Sequence, residues 1–346
     1  MKPLVVVTRN RYVECIHSGL VCVVDANGRV LHRVGEVHTK VFFRSCAKPI
    51  QVIPVIKSGA AEAFGFSLKD IAIACASHTG QKFHQETVLD MLRKLDLDES
   101  NLHCGVMEPY NEAENNRLIS EGLSPTAVHC ACSGKHSAML ALGKFRGVDL
   151  NGYEDISNPV QQEILETIAH FSGEAADSIP TAIDGCGAPV FILPIFSIAL
   201  SYARLVQYAQ DAASEWHAPC KTVFDAMTAH PEMVAGEGEF CTELMQVTKN
   251  KLIGKAGAEG VYCLGIKDMS LGICIKIADG SERAVYPAAM QVLKELDILT
   301  DKECSMLEHW YMPVVKNHPG KQTGKIIPVF GLKMPAEREY VLGEML

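Results

Sequence analysis

The chain has 346 residues, of which 48% are hydrophobic and 21% are charged. That balance excludes an intrinsically disordered protein, and the length is enough for one large domain or two ordinary ones. The net charge is −9 and the Lys and Arg residues are dispersed, which argues against nucleic acids and anionic membranes as main partners.

The sequence predicts a soluble, cytoplasmic protein. The apolar run that follows Met1 is too short for the core of a signal peptide, and no small-residue cleavage site follows it. The most apolar stretch, residues 190–200, contains Pro194 and is shorter than the roughly 20 residues that a membrane-spanning helix needs.

Thirteen cysteines are scattered along the chain, and no two of them form a C-x-x-C pair. This excludes zinc-ribbon and thioredoxin-like motifs, and an odd, scattered set is not a disulfide framework. We expect most of them to be buried, reduced thiols, with a few available for metal binding or reaction.

The two ends of the chain predict strands, and the middle predicts helices. A turn signal at Asp25-Ala26-Asn27-Gly28 indicates a hairpin, and Asn158-Pro159 is a clear helix start. The predicted strands are residues 4–8, 20–24, 29–34, 260–266, 271–278 and 325–330. The predicted helices are residues 47–57, 85–95, 113–122, 134–145, 159–171, 189–213, 220–229 and 284–296.

These elements predict an α+β fold, in which an antiparallel sheet from the N- and C-terminal segments is backed by helices and the middle forms a helical lobe. We expect a single unit over residues 1–346. Its sheet-forming lobe would comprise about 1–60 and 250–346, and its mainly helical lobe about 61–249. The cleft between the lobes is the expected site.

The first motif with catalytic potential is Ser45-Cys46-Ala47-Lys48, at the start of a predicted helix. The three-residue spacing puts the serine hydroxyl and the lysine amine on one helix face. A neutral Lys48 could therefore take the Ser45 proton during attack on a carbonyl group. By itself the pattern is common, and a helix-capping serine near a solvated lysine explains it more simply.

Four further segments combine reactive side chains with small residues. Each also has an ordinary explanation as a polar turn, a helix cap or a solvated lysine. The second of them holds thiols, an amine and an imidazole, which suit a metal site, a reactive thiol or an anion site. The segments are Ala76-Ser77-His78-Thr79-Gly80, Cys130-Ala131-Cys132-Ser133-Gly134-Lys135-His136, Asp184-Gly185-Cys186-Gly187-Ala188-Pro189 and Gly254-Lys255-Ala256-Gly257-Ala258-Glu259-Gly260.

In this order the motifs resemble the Rhizobium-type thermolabile L-asparaginases, the asparaginase II family, whose fold is related to that of serine β-lactamases and glutaminases. The resemblance covers nearly the whole chain, with Cys46 as the one departure noticed. It implies a β-lactamase/glutaminase-like fold, a small-molecule substrate and a homodimer. Outside the five motifs it includes Thr8-Arg9, Val13-Glu14, His17-Ser18-Gly19 and Cys241-Thr242-Glu243.

The resemblance also implies roles for individual residues. Two serine–lysine pairs are expected, Ser45 with Lys48 and Ser77 with Lys255. Zinc is expected as a cofactor that supports structure and substrate positioning, and is not expected to be the agent of hydrolysis. Its ligands would be Cys132, Lys135 and Cys186, and the substrate would contact Arg44, His136, Asp184 and Cys241. Asp184 would hold the substrate's ammonium group or a water on the metal.

The predicted activity is hydrolysis of L-asparagine to L-aspartate and ammonia. Ser45 is the first choice of nucleophile, with Lys48 as its base and with Ser77 and Lys255 relaying protons. The reverse assignment, in which Ser77 attacks and Lys255 is the base, is open. Two other functions are also open: the same chemistry on glutamine or another amide, and a non-catalytic zinc- or thiol-sensing role.

Overall fold

Strands from both ends of the chain form one antiparallel sheet in the computed structural model, which describes residues 1–332. Eight of the strands in that range belong to this main sheet, and three form a smaller one. The strands are β1 (Lys2–Arg9), β2 (Tyr12–Asp25), β3 (Val30–Val34), β4 (Lys40–Phe42), β5 (Thr181–Ile183), β6 (Pro189–Pro194), β7 (Leu252–Gly257), β8 (Val261–Ile266), β9 (Leu271–Ile277), β10 (Val314–Lys316) and β11 (Gln322–Pro328).

The main sheet has the order β10-β11-β1-β2-β9-β8-β7, with β3 also paired to β2. The first half of β2 pairs with β1, and its second half lies between β3 and β9. This second half is apolar and is almost fully buried, as a strand covered on both faces must be. The predicted α+β arrangement, with a sheet built from the two ends of the chain, is confirmed.

Helices fill the middle of the chain and cover the sheet. Helices α9 and α13 pack directly on the main sheet, while α4, α7 and α10 pack against other helices. The helices are α1 (Lys48–Gln51), α2 (Ile53–Lys57), α3 (Ala60–Ala63), α4 (Leu68–Ala74), α5 (Lys82–Lys94), α6 (Glu112–Glu121), α7 (Ser133–Arg146), α8 (Pro159–Ser172), α9 (Ile195–Tyr208), α10 (His217–Ala229), α11 (Pro231–Val234), α12 (Phe240–Thr248), α13 (Glu282–Glu295), α14 (Asp301–Met306) and α15 (Glu308–Tyr311).

The predicted helix over 189–213 is wrong in its first part, because residues Pro189–Pro194 form β6 and pair with β4 and β5. Val190 and Phe191 suit a strand, and the extended backbone of Pro194 separates that strand from α9. By contrast, α8 begins as predicted, since the Asn158 side chain accepts a hydrogen bond from the Val160 N–H at 3.0 Å.

Strand β7 was not predicted. Its Gly254 and Gly257 resemble loop residues in the sequence, yet its backbone pairs with β8 from Leu252 to Gly257. Because β7 is the last strand on its side of the sheet, it places Lys255 at a sheet edge. Among residues 1–332, none of the helices has the length and apolar character needed to cross a membrane.

Candidate active site

The hydroxyl of Ser77 lies between the amines of two buried lysines. Lys48 Nζ donates a hydrogen bond to Ser77 Oγ at 3.0 Å, and Lys255 Nζ lies 3.0 Å from the same oxygen. Both lysines are about 1% exposed, so neither amine is hydrated as a surface lysine would be. The Ser77 hydroxyl, which can accept or donate a proton, is therefore in contact with two amines from distant parts of the sequence.

Local structure fixes Ser77 in this position. It follows the C-terminus of α4, and its backbone N–H donates to the Val234 carbonyl oxygen at 3.0 Å. Two residues later, the Thr79 N–H donates to the Ala235 carbonyl oxygen at 2.8 Å. The loop is thus held on both sides of the serine, as expected of a loop that presents a reactive side chain.

The two lysines differ in their surroundings. Lys48 Nζ also donates to the carbonyl oxygens of Ala76 and Ala131, which gives it three acceptors for the three N–H bonds of an ammonium group. Burial, reinforced by the positive charge of Lys48, lowers the pKa of Lys255 to about 8. Lys255 can therefore gain or lose a proton near neutral pH.

Ser45 lines the same cavity but is not hydrogen-bonded to Lys48. The Lys48 amine, which the sequence pairs with Ser45, instead binds Ser77. Ser45 is the second residue of a short 3₁₀ helix, Arg44–Ala47, that leads into α1. The N–H groups of a first helical turn have no partner inside the helix, so the Ser45 amide can bind an oxyanion.

The cavity holds about 540 Å³. Its wall brings together parts of β7, α12 and α13 with the loops that precede α1, α5 and α7. Gly257 packs closely against this wall, because a Cβ there would lie 3.1 Å from Cys46 Sγ and 3.3 Å from Arg44 Cβ. The cavity-lining residues from the predicted site are Arg44, Ser45, Ser77, Cys132, Asp184, Cys186, Cys241 and Lys255.

Cys132, Lys135 and Cys186 are close together beside the cavity. Lys135 Nζ donates to Cys186 Sγ at 3.1 Å, and hydrogen bonds from the Cys130 and Cys186 thiols lower the pKa of Cys132 well below its usual value. Tetrahedral zinc with one sulfur and one nitrogen ligand would separate those two atoms by about 3.6 Å. The donor set therefore fits zinc, with a small adjustment.

Lysine is the unusual member of this set. Burial opposes the charge on Lys135, but the neighbouring Cys186 and Cys132 raise its pKa, so metal binding would have to displace a proton. Among the described residues, no three His, Cys, Asp or Glu side chains are arranged to hold a metal ion. Any metal here would need the lysine as a ligand.

The predicted substrate contacts fall into two groups. Arg44 and Asp184 face the cavity and form an ion pair, with Arg44 Nη2 3.1 Å from Asp184 Oδ1. Cys241 lines the cavity. His136 is fully buried and does not line it, and its Nδ1 lies 2.6 Å from the Tyr153 hydroxyl oxygen.

The contact with Tyr153 is the one side-chain hydrogen bond of the His136 ring among residues 1–332. The Tyr153 oxygen accepts from the His103 N–H at 2.9 Å, so its own hydrogen is free to go to His136 Nδ1. The proton of the neutral imidazole is then on Nε2, an atom that is buried without a partner among residues 1–332. His136 lies about one helical turn after Cys132 at the start of α7.

Several cavity residues could not be identified from the sequence. The acceptors for the lysine amines are backbone carbonyls, which carry no sequence signal. Glu239, Glu282 and Tyr286 also line the cavity, but they come from helix starts that look like ordinary polar surface.

A hydroxyl held between two buried amines at the wall of a cavity is typical of enzymes that cleave amides or esters by acyl transfer. The chain belongs to the L-asparaginase II family, whose sequence profile matches residues 5–328. The protein is accordingly an amidohydrolase of the asparaginase type.

Two solved structures show distant similarity to the chain. No curated protein sequence matches the chain significantly. The structure is similar to a putative beta-lactamase from Bacteroides dorei DSM 17855, with 15% identity, a TM-score of 0.43, and coverage of 80% of this chain and 93% of that one. It is also similar to a beta-lactamase from Mycobacterium bovis, with 12% identity, a TM-score of 0.40, and coverage of 85% and 95%.

Proposed function

We propose that the protein hydrolyses L-asparagine to L-aspartate and ammonia through a serine nucleophile served by the two lysines. The observation that carries the proposal is the Ser77 hydroxyl between Lys48 and Lys255, in a cavity of a chain from the L-asparaginase II family. The volume of about 540 Å³ is ample for an amino acid.

In the proposed mechanism Ser45 attacks the side-chain amide carbonyl, and its proton passes through Ser77 to neutral Lys255. All three N–H bonds of Lys48 already have acceptors, so Lys48 is not the base. It orients Ser77 by donating to its oxygen. The base therefore differs from the sequence prediction, which gave that role to Lys48. Lys255, with a pKa near 8, is the lysine able to exchange a proton.

The same relay then works in reverse. Lys255 returns the proton through Ser77 to the departing nitrogen, so ammonia leaves and an aspartyl ester on Ser45 remains. Water gives a proton through Ser77 to Lys255 as it attacks the ester, and the same proton then returns to the departing Ser45 oxygen, which releases aspartate and restores the serine hydroxyl. The free N–H at the Ser45 helix start stabilises the oxyanion in both steps.

Two features of Ser77 favour Ser45 as the nucleophile: the hydrogen bond made by the Ser77 backbone N–H and the contacts of the Ser77 hydroxyl. The N–H of Ser77 is already bound to the Val234 carbonyl oxygen and cannot serve an oxyanion next to it. The Ser77 oxygen is held by both amines, which suits a relay. The contact with Lys255 makes direct attack by Ser77 the second candidate.

The decisive experiment measures ammonia release and labelling together. Purified protein should release ammonia from L-asparagine faster than from L-glutamine. A diazoketone analogue of asparagine should modify Ser45, located by mass spectrometry of the peptides. Label on Ser77 would reverse the assignment of the two serines, and a wild-type protein that releases no ammonia from asparagine would refute the proposed substrate.

Serine variants give a second test of the roles. Ser45→Ala should abolish turnover with the fold intact, and Ser77→Ala should lower kcat by about 10²–10³-fold while Ser45 can still be labelled slowly. Thr126→Ala is a suitable control, since Thr126 does not line the cavity. A Ser45→Ala protein that keeps most of its kcat would contradict the mechanism.

We also propose that Cys132, Lys135 and Cys186 bind Zn²⁺, which would supply a fixed positive charge beside the cavity for substrate positioning. The short contact between Lys135 and Cys186 and the low pKa of Cys132 support this set. Metal analysis should find about one zinc per chain. Cys132→Ser should lower that content at least tenfold, whereas Cys220→Ser, in a buried position on α10, should not.

A further inference from the structure

The backbone immediately before Ser45 has a conformation that most residues avoid. Arg44 has a φ of +48°, in the left-handed region that favours glycine. It joins β4 to the short 3₁₀ helix Arg44–Ala47, and Ser45, the next residue, lines the cavity. Such a conformation persists only where the surrounding structure fixes it, and it is common beside reactive groups. The contacts that fix this turn therefore bear on the reaction.

Cys46, the residue after Ser45, is held by two hydrogen bonds from different parts of the fold. Its Sγ donates to the backbone carbonyl oxygen of Lys255 at 3.0 Å. Its own carbonyl oxygen accepts from the Tyr202 hydroxyl at 2.8 Å. Tyr202 is on α9, which packs on the main sheet. The turn that carries Ser45 is thus joined both to this helix and to the residue proposed as the base.

Burial makes these two hydrogen bonds costly to lose. Cys46 and Tyr202 are each 0% exposed, so water cannot replace a missing partner. Strand β7 also lies very close to the turn, since a Cβ at Gly257 would lie 3.1 Å from Cys46 Sγ and 3.3 Å from Cys46 N. A shift of Cys46 would therefore change the position of Ser45 relative to β7.

These hydrogen bonds are more than packing alone requires. Cys220 on α10 is equally buried, yet its thiol has no hydrogen-bond partner among the described residues. Neither Cys46 nor Tyr202 lines the cavity, so neither side chain can touch the substrate. Any effect of these two residues on turnover must act through the groups they hold, Ser45 and Lys255.

We propose that Cys46 and Tyr202 are positioning residues that hold the Ser45 hydroxyl at the correct distance from the Ser77–Lys255 relay. The inference rests on the proposed amide hydrolysis, with Ser45 as the nucleophile. A small displacement of the attacking oxygen slows the chemical step, whereas the substrate still binds in the same cavity. Loss of either hydrogen bond therefore affects kcat far more than KM.

The experiment removes each hydrogen bond by the smallest available change. Tyr202→Phe deletes only a hydroxyl, Cys46→Ala deletes the thiol, and Cys46→Ser keeps a donor at that position. Two controls lie outside the cavity. Tyr311→Phe deletes a hydroxyl that donates to Gln291 Oε1 at 2.6 Å, and Cys220→Ala deletes the buried thiol that has no such partner.

Three measurements are made on each protein. Ammonia release from L-asparagine and L-glutamine gives kcat and KM, the diazoketone analogue gives the rate at which Ser45 is labelled, and urea denaturation gives the stability. We expect Tyr202→Phe and Cys46→Ala to lower kcat and the labelling rate about tenfold or more, with KM changed less than about threefold. Cys46→Ser should stay within about threefold of the wild-type kcat, and both controls within about twofold, whatever stability they lose.

A Tyr202→Phe protein that loses stability but keeps the wild-type kcat would overturn the inference, because the hydroxyl would then be only structural. This variant retains the ring that fills its site, so it provides the test even if Cys46→Ala does not fold. Equal losses of kcat in Cys46→Ser and Cys46→Ala would also overturn the inference, as would a change confined to KM. Failure of the proposed function is a separate result, read from the wild-type protein alone: it would release no ammonia from either amide, or its label would be on Ser77.

Discussion

Lys255 makes the activity depend on pH in a defined direction. Burial and Lys48 lower its pKa to about 8, and the proposed base must be neutral to accept a proton. We therefore expect kcat/KM to rise about tenfold per pH unit below pH 8 and to level off above it. Stopped assays of ammonia from pH 6 to 9.5 would check this. A profile that falls through pH 8 would show that the protonated lysine is the active form.

The same burial carries a cost in stability. Below pH 8 the fold holds a charged amine that is about 1% exposed, so Lys255→Met should raise the free energy of unfolding at pH 7 by about 1–3 kcal/mol while abolishing turnover. Between pH 8 and the usual lysine value of 10.5, the unfolded chain binds more protons than the folded one, so wild-type stability rises with pH.

Urea denaturation of both proteins at pH 7 and pH 10 measures this effect. The advantage of Lys255→Met should be large at pH 7 and small at pH 10. An advantage that is equal at the two pH values would mean that better packing, and not the loss of a buried charge, stabilises the variant.

At the residue scale, the family resemblance pairs Ser77 with Lys255, and these side chains are in contact, whereas the pair that local spacing predicts, Ser45 with Lys48, is not hydrogen-bonded. Ser77 and Lys255 are 178 positions apart, and their contact depends on how α4 and β7 meet in space. The three-residue spacing of Ser45 and Lys48 suggested a pair, but the Lys48 amine extends away to Ser77 and two carbonyl oxygens. Local spacing cannot reveal a competing acceptor from another part of the chain.

At the scale of elements, the contact between α9 and β9 depends on Gly272. A Cβ at that position would lie 1.8 Å from the Ala199 carbonyl oxygen and 2.6 Å from the Ala203 nitrogen, both in helix backbone that cannot move aside alone. Gly272→Ala should therefore lower the free energy of unfolding by about 3–5 kcal/mol, measured by urea denaturation.

Gly185→Ala is the control for that variant. A Cβ at Gly185 meets nothing within 4 Å, so its effect on stability should be within about 0.5 kcal/mol. If Gly272→Ala is equally mild, α9 must be free to shift away from the sheet, and the close packing of α9 on β9 would not be essential.

The elements that could be predicted are those whose pattern is local. Helix α8 has an Asn cap and a proline at its start, and the hairpin of β2 and β3 has a turn signal between two apolar runs. Strands β6 and β7 could not be recognised, because apolar residues run from Val190 through α9 without a break in pattern and glycines interrupt β7. Both are strands because of their partners in the sheets.

For the whole molecule, the shared sheet predicts a single unfolding transition. The chain has two tryptophans. Trp216 lies in the helical part, with Lys57 Nζ 3.4 Å from its ring centre, and Trp310 packs against Phe240 near the sheet. Trp216→Phe and Trp310→Phe each leave one fluorescent reporter. Their urea transitions should coincide with that of far-UV circular dichroism, since neither part has a separate core.

Two separate midpoints in these single-tryptophan proteins would show instead that the helical middle and the sheet unfold independently. The fluorescence transition of each variant is compared with the circular dichroism transition of the same variant, which shows whether the substitution has changed overall stability.

The pairing of β2 with β9 also has a consequence for synthesis. Leu20 pairs with Lys276, so the strand that completes this side of β2 leaves the ribosome about 250 residues after it. At 5–20 residues per second, the apolar residues of β2 wait on the order of ten to fifty seconds for that partner. This side of β2 can be paired only after β9 has been synthesised, and until then the nascent chain exposes an unpaired strand edge that can pair with other chains.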